Sequence, residues 1–272
     1  EAMRQRGLRI EGDRGKIHLH PVNATDDPRR IGPVDMVLFC VKLWDVESAA
    51  TTIKGLIGPD TGIIPLQNGV NASERLADVL GPSAVMGGIA YINTTIAEPG
   101  VIRQIGPIQR LLFGELDGRK SARGERFFVA CKAAGVDVDF TQNLPTALWE
   151  KFIFLVAMSG MTALTRLPIG KFRDDPDTVG LFIALAEETA AVGRAAGVPL
   201  AADVVETRIA NMRALPPGAT ASMAHDLARG NRLELPWLGG KVVAMGRDLG
   251  VPTPVNAFIY GALKPYVDGR PA

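Results

Sequence analysis

The sequence predicts an α/β protein in two parts: a doubly wound N-terminal half built on parallel strands, followed by an all-α C-terminal half. Two observations carry this prediction. Up to about residue 140, short apolar runs typical of buried strands alternate with helical stretches, the order that produces a parallel sheet. Beyond that point the apolar residues recur with helical spacing. We place residues 1–143 in the first domain and residues 144–272 in the second.

The N-terminal half opens with helical residues and a predicted hairpin over 8–21, where polar and apolar positions alternate around an Asp-Arg-Gly turn. Strands follow at 34–41, 62–67 and 84–91, with helices at 46–56 and 72–80 between them. Glycine-punctuated short strands over 93–115 predict an antiparallel end to the sheet, which a helix at 124–134 and a strand at 136–140 complete. Lys42 and Asn68 each follow a parallel strand, where such sheets bind ligands, and are therefore candidate site residues.

The C-terminal half is predicted to contain helices at 144–164, 177–196, 201–214, 222–229, 236–249 and 255–266, separated by glycine and proline. The first of them is apolar on nearly every face, which indicates a helix buried inside a domain. Lys151 interrupts it. A desolvated lysine has a lowered pKa and can act as a general acid near neutral pH. The alternative is that Lys151 lies at a solvated edge beside Glu150.

Composition excludes several classes of partner. Thirty basic and twenty-nine acidic side chains leave a net charge of +1, which gives no case for nucleic acid or for a membrane surface. Lys151 also breaks the best candidate for a membrane span. The two cysteines lie far apart in apolar contexts, which predicts buried free thiols in a reducing compartment. Three scattered histidines predict no metal site.

No GxGxxG turn is present, so the residues alone predict a truncated nucleotide-binding sheet joined to a helical domain. Four motifs take the interpretation further: VLFCVKLWDVESA, IIPLQNGVN, ALWEKFIFLVAMSGMTAL and SMAHDLARGNRLELPWLGG. Their order and spacing resemble those of the 2-dehydropantoate 2-reductases, or ketopantoate reductases, from the first residues to Tyr266. The resemblance implies a Rossmann-type first domain, with the family's glycine-rich β-α-β block expected just upstream of Glu1.

The resemblance also implies an activity and a role for each matching residue. The expected reaction is NADPH-dependent reduction of a small 2-oxoacid, by a cytoplasmic enzyme that could form a homodimer, in a cleft between the domains. Lys151 would protonate the ketone oxygen. Asn68 would contact both the nicotinamide ribose and the substrate. The resemblance also implies that Lys42, Glu234 and the main chain of Asn93 would contact the cofactor. Ser222 would bind the substrate carboxylate.

The sequence departs from the family at the substrate-binding positions that follow the catalytic lysine. Where the family has asparagines four and eight residues after it, this chain has Leu155 and Ser159. A third substrate-binding asparagine is replaced by Ile169. Because a site built to hydrogen-bond a hydroxyl discriminates strongly, these changes predict a 2-oxoacid with a more apolar tail than ketopantoate.

Simpler interpretations remain open for each residue. Asn68 and Gly69 form a common turn pair, and Ser222 could be the N-cap of its helix, with Asp226 near the first turn. Lys42 could serve only to solubilise the end of a strand, and Glu234 could pair with Arg232 or Lys241 on the surface. Asp45 could simply open a helix, or could face the adenosine ribose and repel a 2'-phosphate, so NAD stays possible as well as NADP.

Two alternative functions are also compatible with the sequence. The chain could be a non-catalytic relative that binds a ligand or a partner through the same site, which Leu155, Ile169 and the missing glycine turn favour. It could instead be a different helical-domain dehydrogenase, such as one acting on 3-hydroxyacids. The retained Lys151 and Asn68 oppose the first of these functions.

Overall fold

The computed structural model describes residues 1–271 and divides into two compact units. The first unit comprises Glu1–Val41, Asp45–Gln67 and Ala72–Leu144, and the second comprises Lys42–Trp44, Asn68–Asn71 and Pro145–Ala272. Two short segments of the N-terminal half therefore belong to the C-terminal unit. Each of them follows a strand of the first unit.

The first unit is α/β. Its strands are β1 (Leu8–Gly12), β2 (Gly15–Leu19), β3 (Val34–Phe39), β4 (Ile57–Pro65), β5 (Met86–Glu98), β6 (Val101–Glu115) and β7 (Asp137–Phe140). Its helices are α1 (Ala2–Arg6), α2 (Val46–Thr52), α3 (Ala72–Leu80) and α4 (Ala122–Ala133). β3 and β4 pair in parallel, as predicted, and a single parallel bridge joins Ile63 of β4 to Val85, just before β5.

The remaining strands form a mixed sheet in the order β2-β1-β6-β5, with β7 also paired to β6. The predicted hairpin is confirmed as β1 and β2, and the antiparallel end of the sheet is confirmed as β5 and β6. The several short strands predicted over 93–115 are instead two long ones. Register shifts near Asn93 and Ile96 absorb the irregular residues, so β5 continues where the sequence suggested a break.

A buried ion pair fixes α4 to the sheet of the first unit. Arg123 of α4 makes a bidentate contact with Glu115 at the end of β6, with N···O distances of 2.8 and 2.7 Å. Its remaining guanidinium nitrogen donates to the carbonyl oxygens of Thr61 and Ser83. Burial is the largest single influence on Glu115 and opposes its ionisation, but the hydrogen bonds from Arg123 and Ser121 and the charges of Arg123 and Arg119 together outweigh it, so the pKa of Glu115 lies below its ordinary value.

We expect Arg123→Met to lower the free energy of unfolding by about 3 kcal/mol, because it leaves the carboxylate of Glu115 buried without its cation. Glu115 is only 4% exposed. Urea denaturation at pH 7 measures the change, and Arg126→Met, at an exposed arginine of the same helix, is the matched control. Equal stabilities of the two variants would contradict the expectation.

The second unit is helical. Its helices are α5 (Leu144–Thr165), α6 (Pro176–Ala195), α7 (Val204–Arg213), α8 (Ser222–Arg229), α9 (Gly239–Leu249) and α10 (Pro254–Leu263). The first residue of α5, Leu144, still belongs to the first unit. Helix α5 is the centre of its core, because Phe152, Ile153 and Met161 are at most 1% exposed. By length and composition alone α5 could cross a membrane, but 61% of its most apolar window is buried in the protein, as in core helices.

Three details differ from the prediction. The helix predicted over 236–249 is divided, because Leu238 has non-helical dihedral angles between a 3₁₀ turn at Leu235–Trp237 and α9. The last helix likewise ends at Leu263 and continues as a 3₁₀ turn. Both cysteines are free, as predicted, but Cys40 is exposed and Cys131 only partly buried, so the prediction that they are buried was wrong.

Candidate active site

Helix α5 positions Lys151 next to the segment that follows β4. The Nζ atom of Lys151 donates a hydrogen bond to Oδ1 of Asn68 at 3.1 Å. Gly69 follows with φ +101°, and a Cβ atom at this position would lie 3.3 Å from the carbonyl oxygen of Trp237. The backbone therefore needs glycine here, and the turn holds Asn68 against the lysine.

Lys151 is poised to exchange a proton near neutral pH. Burial lowers the pKa of Lys151 from its ordinary 10.5 to about 8, and the carboxylate of Glu234 partly opposes this by raising it. The alternative of a solvated lysine paired with Glu150 finds no support, because Lys151 is only partly exposed and Glu150 lies 3.9 Å from Arg208. An ammonium group with such a pKa can donate its proton and regain it at physiological pH.

Glu234 is a buried carboxylate at the same site, only 8% exposed. Burial raises the pKa of Glu234 above its ordinary value, while Lys42, the N–H of Leu43 and Lys151 lower it. The Leu43 N–H donates to Oε1 of Glu234 at 3.4 Å. The surface pairing considered for Glu234 was wrong, since Arg232 pairs with Asp268 instead. Glu234 is therefore a buried residue whose carboxylate interacts with groups inside the protein.

Lys42 follows β3 and forms an ion pair with Asp226 of α8, with Nζ 3.2 Å from Oδ2. Lys42 therefore takes part in a specific ion pair and does not merely make the end of the strand soluble. The same ammonium lies 5.5 Å from the ring centroid of Trp44. Asp226 was not among the predicted site residues. The signal that could have found it is its position four residues after Ser222, which places both on one face of α8.

Ser222 is the first residue of α8, and Ala221 occupies the N-cap position. The interpretation of Ser222 as an N-cap was therefore wrong. Its side chain is exposed, and the first turn of α8 contains no acidic residue. A hydroxyl and the free N–H groups at the start of a helix suit an anion.

The positions where this chain departs from the family differ in exposure. Leu155 is half-buried and packs against the helical core. Ser159 is 1% exposed, and it lines a small cavity with Asn256. Ile169 is completely buried in the core, so a substrate cannot reach it in this conformation. Asn93 belongs to the first unit, where it lies exposed in β5.

The residues of the second unit fit a nicotinamide nucleotide. Oδ1 of Asn68 accepts from Lys151, which leaves the Asn68 amide nitrogen as a donor for a ribose hydroxyl. Lys42 is an exposed cation beyond a parallel strand, the usual location for phosphate-bearing ligands. Among residues 1–271, no group of three His, Cys, Asp or Glu side chains could hold a metal ion.

Comparison with known proteins places this arrangement in a family. The sequence matches the profile "Ketopantoate reductase PanE/ApbA" over residues 1–118 and "Ketopantoate reductase PanE/ApbA C terminal" over residues 143–267. It is 29% identical to the 2-dehydropantoate 2-reductase of Halobacterium salinarum, over 93% of this chain and 82% of the relative.

Solved structures agree with the sequence comparison. The PanE/ApbA family ketopantoate reductase of Ralstonia eutropha JMP134 aligns with a TM-score of 0.88 and 32% identity, over 97% of this chain and 86% of that one. The 2-dehydropantoate 2-reductase of Geobacter metallireducens GS-15 aligns with a TM-score of 0.90 and 27% identity, over 97% and 88%. With a Rossmann-like N-terminal domain and a helical C-terminal domain, the chain belongs to the ketopantoate reductase family of NAD(P)H-dependent oxidoreductases.

Proposed function

We propose that the protein reduces a 2-oxoacid to the corresponding 2-hydroxyacid with a nicotinamide nucleotide. The substrate is ketopantoate or an analogue with a more apolar tail. The observation that supports this most directly is the pairing of a partly buried Lys151, whose pKa is about 8, with Asn68. The hydrogen bond between Lys151 and Asn68 argues against the alternative of a non-catalytic relative, because both residues of the proposed site are retained and in contact. Consumption of NADPH with each 2-oxoacid, followed by its absorbance, tests the proposal.

In the proposed mechanism Lys151 is the general acid. Its Nζ donates a proton to the ketone oxygen of the substrate, and the carbonyl carbon becomes the carbinol carbon of the product. A bound nicotinamide nucleotide would supply the hydride to the carbonyl carbon. Asn68 orients the ammonium through its Oδ1, and the charge of Glu234 keeps Lys151 protonated at a pH where burial alone would favour the neutral amine.

Four residues would hold the nucleotide. Lys42 offers a cation to its phosphates, Asn68 an amide N–H to the nicotinamide ribose, and Asn93 its main chain. Glu234 would accept a hydrogen bond from the nucleotide. NADPH is the proposed reductant and NADH the alternative, because Asp45 is an exposed anion at the start of α2. Location in the cytoplasm and a homodimeric state are further proposals from the family resemblance.

The substrate carboxylate would bind at Ser222, where the first turn of α8 offers a hydroxyl and backbone N–H groups. Leu155 and Ser159, one and two turns after Lys151 on α5, would face the tail of the substrate. A leucine cannot hydrogen-bond a hydroxyl, so it favours an apolar tail. Ser159 could contribute only after a local rearrangement, because it is buried.

Two substrates that differ by one hydroxyl test this preference. We expect the wild-type protein to reduce 3,3-dimethyl-2-oxobutanoate with a higher kcat/KM than ketopantoate, which carries an additional hydroxyl at its fourth carbon. Leu155→Asn should shift the ratio toward ketopantoate by about tenfold, because it adds a hydrogen-bonding partner at the tail. The control is Leu164→Asn, at another half-buried leucine of α5. A clear wild-type preference for ketopantoate would refute the assignment of an apolar tail.

A further inference from the structure

Two lysines and two acidic side chains of the second unit interact with one another. Lys42 is paired with Asp226, and Glu234 interacts electrostatically with Lys42 and with Lys151. A single buried carboxylate cannot fully compensate two ammonium groups at once. How the four charges pair therefore decides how much of the Glu234 charge acts on Lys151.

The carboxylate of Asp226 is held on both of its oxygens. Oδ2 accepts from Lys42 at 3.2 Å, and Oδ1 accepts from the side-chain amide of Asn231, also at 3.2 Å. The backbone N–H of Asn231 donates to the Asp226 carbonyl oxygen at 2.9 Å, which fixes the two residues together. The Asp226 side chain is only 19% exposed, so solvent screens this ion pair less than it screens a pair on the open surface.

Lys42 also lies near an aromatic ring. The ring of Trp44 lies 5.5 Å from its ammonium, and the guanidinium of Arg232 lies 4.9 Å from the same ring. The charged groups that act on Glu234 are Lys42, Asp226 and Lys151. With Asp226 present, these groups and Glu234 comprise two cations and two anions. Without it, two cations would face one buried anion.

We propose that Asp226 is a positioning residue that acts as the counter-ion of Lys42 and so leaves the carboxylate of Glu234 to Lys151. If Asp226 were neutral, the ammonium of Lys42 would turn to Glu234, and Lys151 would lose part of its counter-charge. Its ammonium would then give up its proton more readily. The effect on catalysis rests on the function proposed above, whereas the pairing of the charges does not.

The first test is Asp226→Asn, which keeps the shape of the side chain and removes its charge. The pKa of Lys151 is read by NMR titration of protein labelled with ¹³C at the lysine Cε atoms, and Lys151→Met assigns the resonance. We expect Asp226→Asn to lower the pKa of Lys151 by about one unit. The alkaline limb of kcat/KM for reduction should move by the same amount. A merely structural role for Asp226 would leave both values unchanged in the folded protein.

The double variant Asp226→Asn/Lys42→Met decides the mechanism, because it removes the competing cation together with its counter-ion. The pKa of Lys151 should return to the wild-type value. Asp248→Asn, at an exposed acid of α9, is the matched control, and Asp226→Ser replaces the asparagine variant if that one does not fold. A pKa unchanged in the single variant, or still lowered in the double variant, would overturn the proposal.

The NMR titration also separates this proposal from the proposed function. It requires neither substrate nor nucleotide. A wild-type protein without reductase activity would refute the function, and the titration would still decide whether Asp226 pairs with Lys42 in the manner proposed.

Discussion

Lys151→Met should reduce kcat for 2-oxoacid reduction by about a thousandfold, the usual contribution of a positioned general acid. Methionine occupies a similar volume but cannot donate a proton to the ketone oxygen. Binding of NADPH, followed by its fluorescence, should change little, because Lys151 is proposed to act on the substrate. Lys171→Met, at an exposed lysine of the same unit, is the control. Activity within tenfold of the wild type would refute the assignment of the general acid.

The same variant should be more stable than the wild type at pH 7. The folded-state pKa of about 8 lies below the ordinary 10.5, so the unfolded chain binds more protons between these values and wild-type stability rises with pH across that window. Below pH 8 the partly buried ammonium costs as much as about 3 kcal/mol, which the methionine removes. Urea denaturation at pH 7 and pH 10 measures the difference. A variant less stable than the wild type at both pH values would contradict this account of Lys151.

Glu234→Gln should move the alkaline limb of the reaction to lower pH. The carboxylate of Glu234 raises the pKa of Lys151, so its neutral replacement lets burial lower that pKa further below 8. If that pKa falls by about one unit, about a tenth of Lys151 stays protonated at pH 8 instead of about half, so the rate of reduction there should fall by about fivefold. Part of the rate should return near pH 6, where Lys151 is protonated again.

Profiles of kcat between pH 5.5 and 9.5 at saturating nucleotide separate this effect from nucleotide binding. The control is Glu206→Gln, at an exposed glutamate of α7. A variant that loses the same factor at every pH would show that Glu234 acts only by positioning the ligand.

The sequence predicts the elements that depend on local pattern. Helix α5 could be recognised because it is apolar on nearly every face, and Lys151 because it is the one basic residue in that helix. The division into a Rossmann-like and a helical part follows from the change of hydrophobic period. The length of β5 could not be predicted, since pairing with β6 across register shifts overrides the local turn signals.

Contacts between residues far apart in the sequence could not be predicted from local sequence patterns. The sequence left a surface pairing with Arg232 or Lys241 open for Glu234, and only the fold reveals that it is buried and accepts a hydrogen bond from the N–H of Leu43. Asp226 is 184 residues from Lys42 along the chain, so no local pattern connects them. The family resemblance assigns the position of Ile169 to substrate binding, yet in the structure this side chain fills the core. Such long-range contacts depend on tertiary structure.

The chain passes between the two units five times, after Val41, Trp44, Gln67, Asn71 and Leu144. The two short segments that return to the second unit, Lys42–Trp44 and Asn68–Asn71, contain Lys42 and Asn68. The residues after Leu144 alone therefore do not contain the complete candidate site. A recombinant helical half that begins after Leu144 would retain Lys151 and Glu234 but would lack the partner amide and the second ammonium. The two halves are therefore not interchangeable modules, and a chimera joined at that single point would inherit part of the candidate site from each parent.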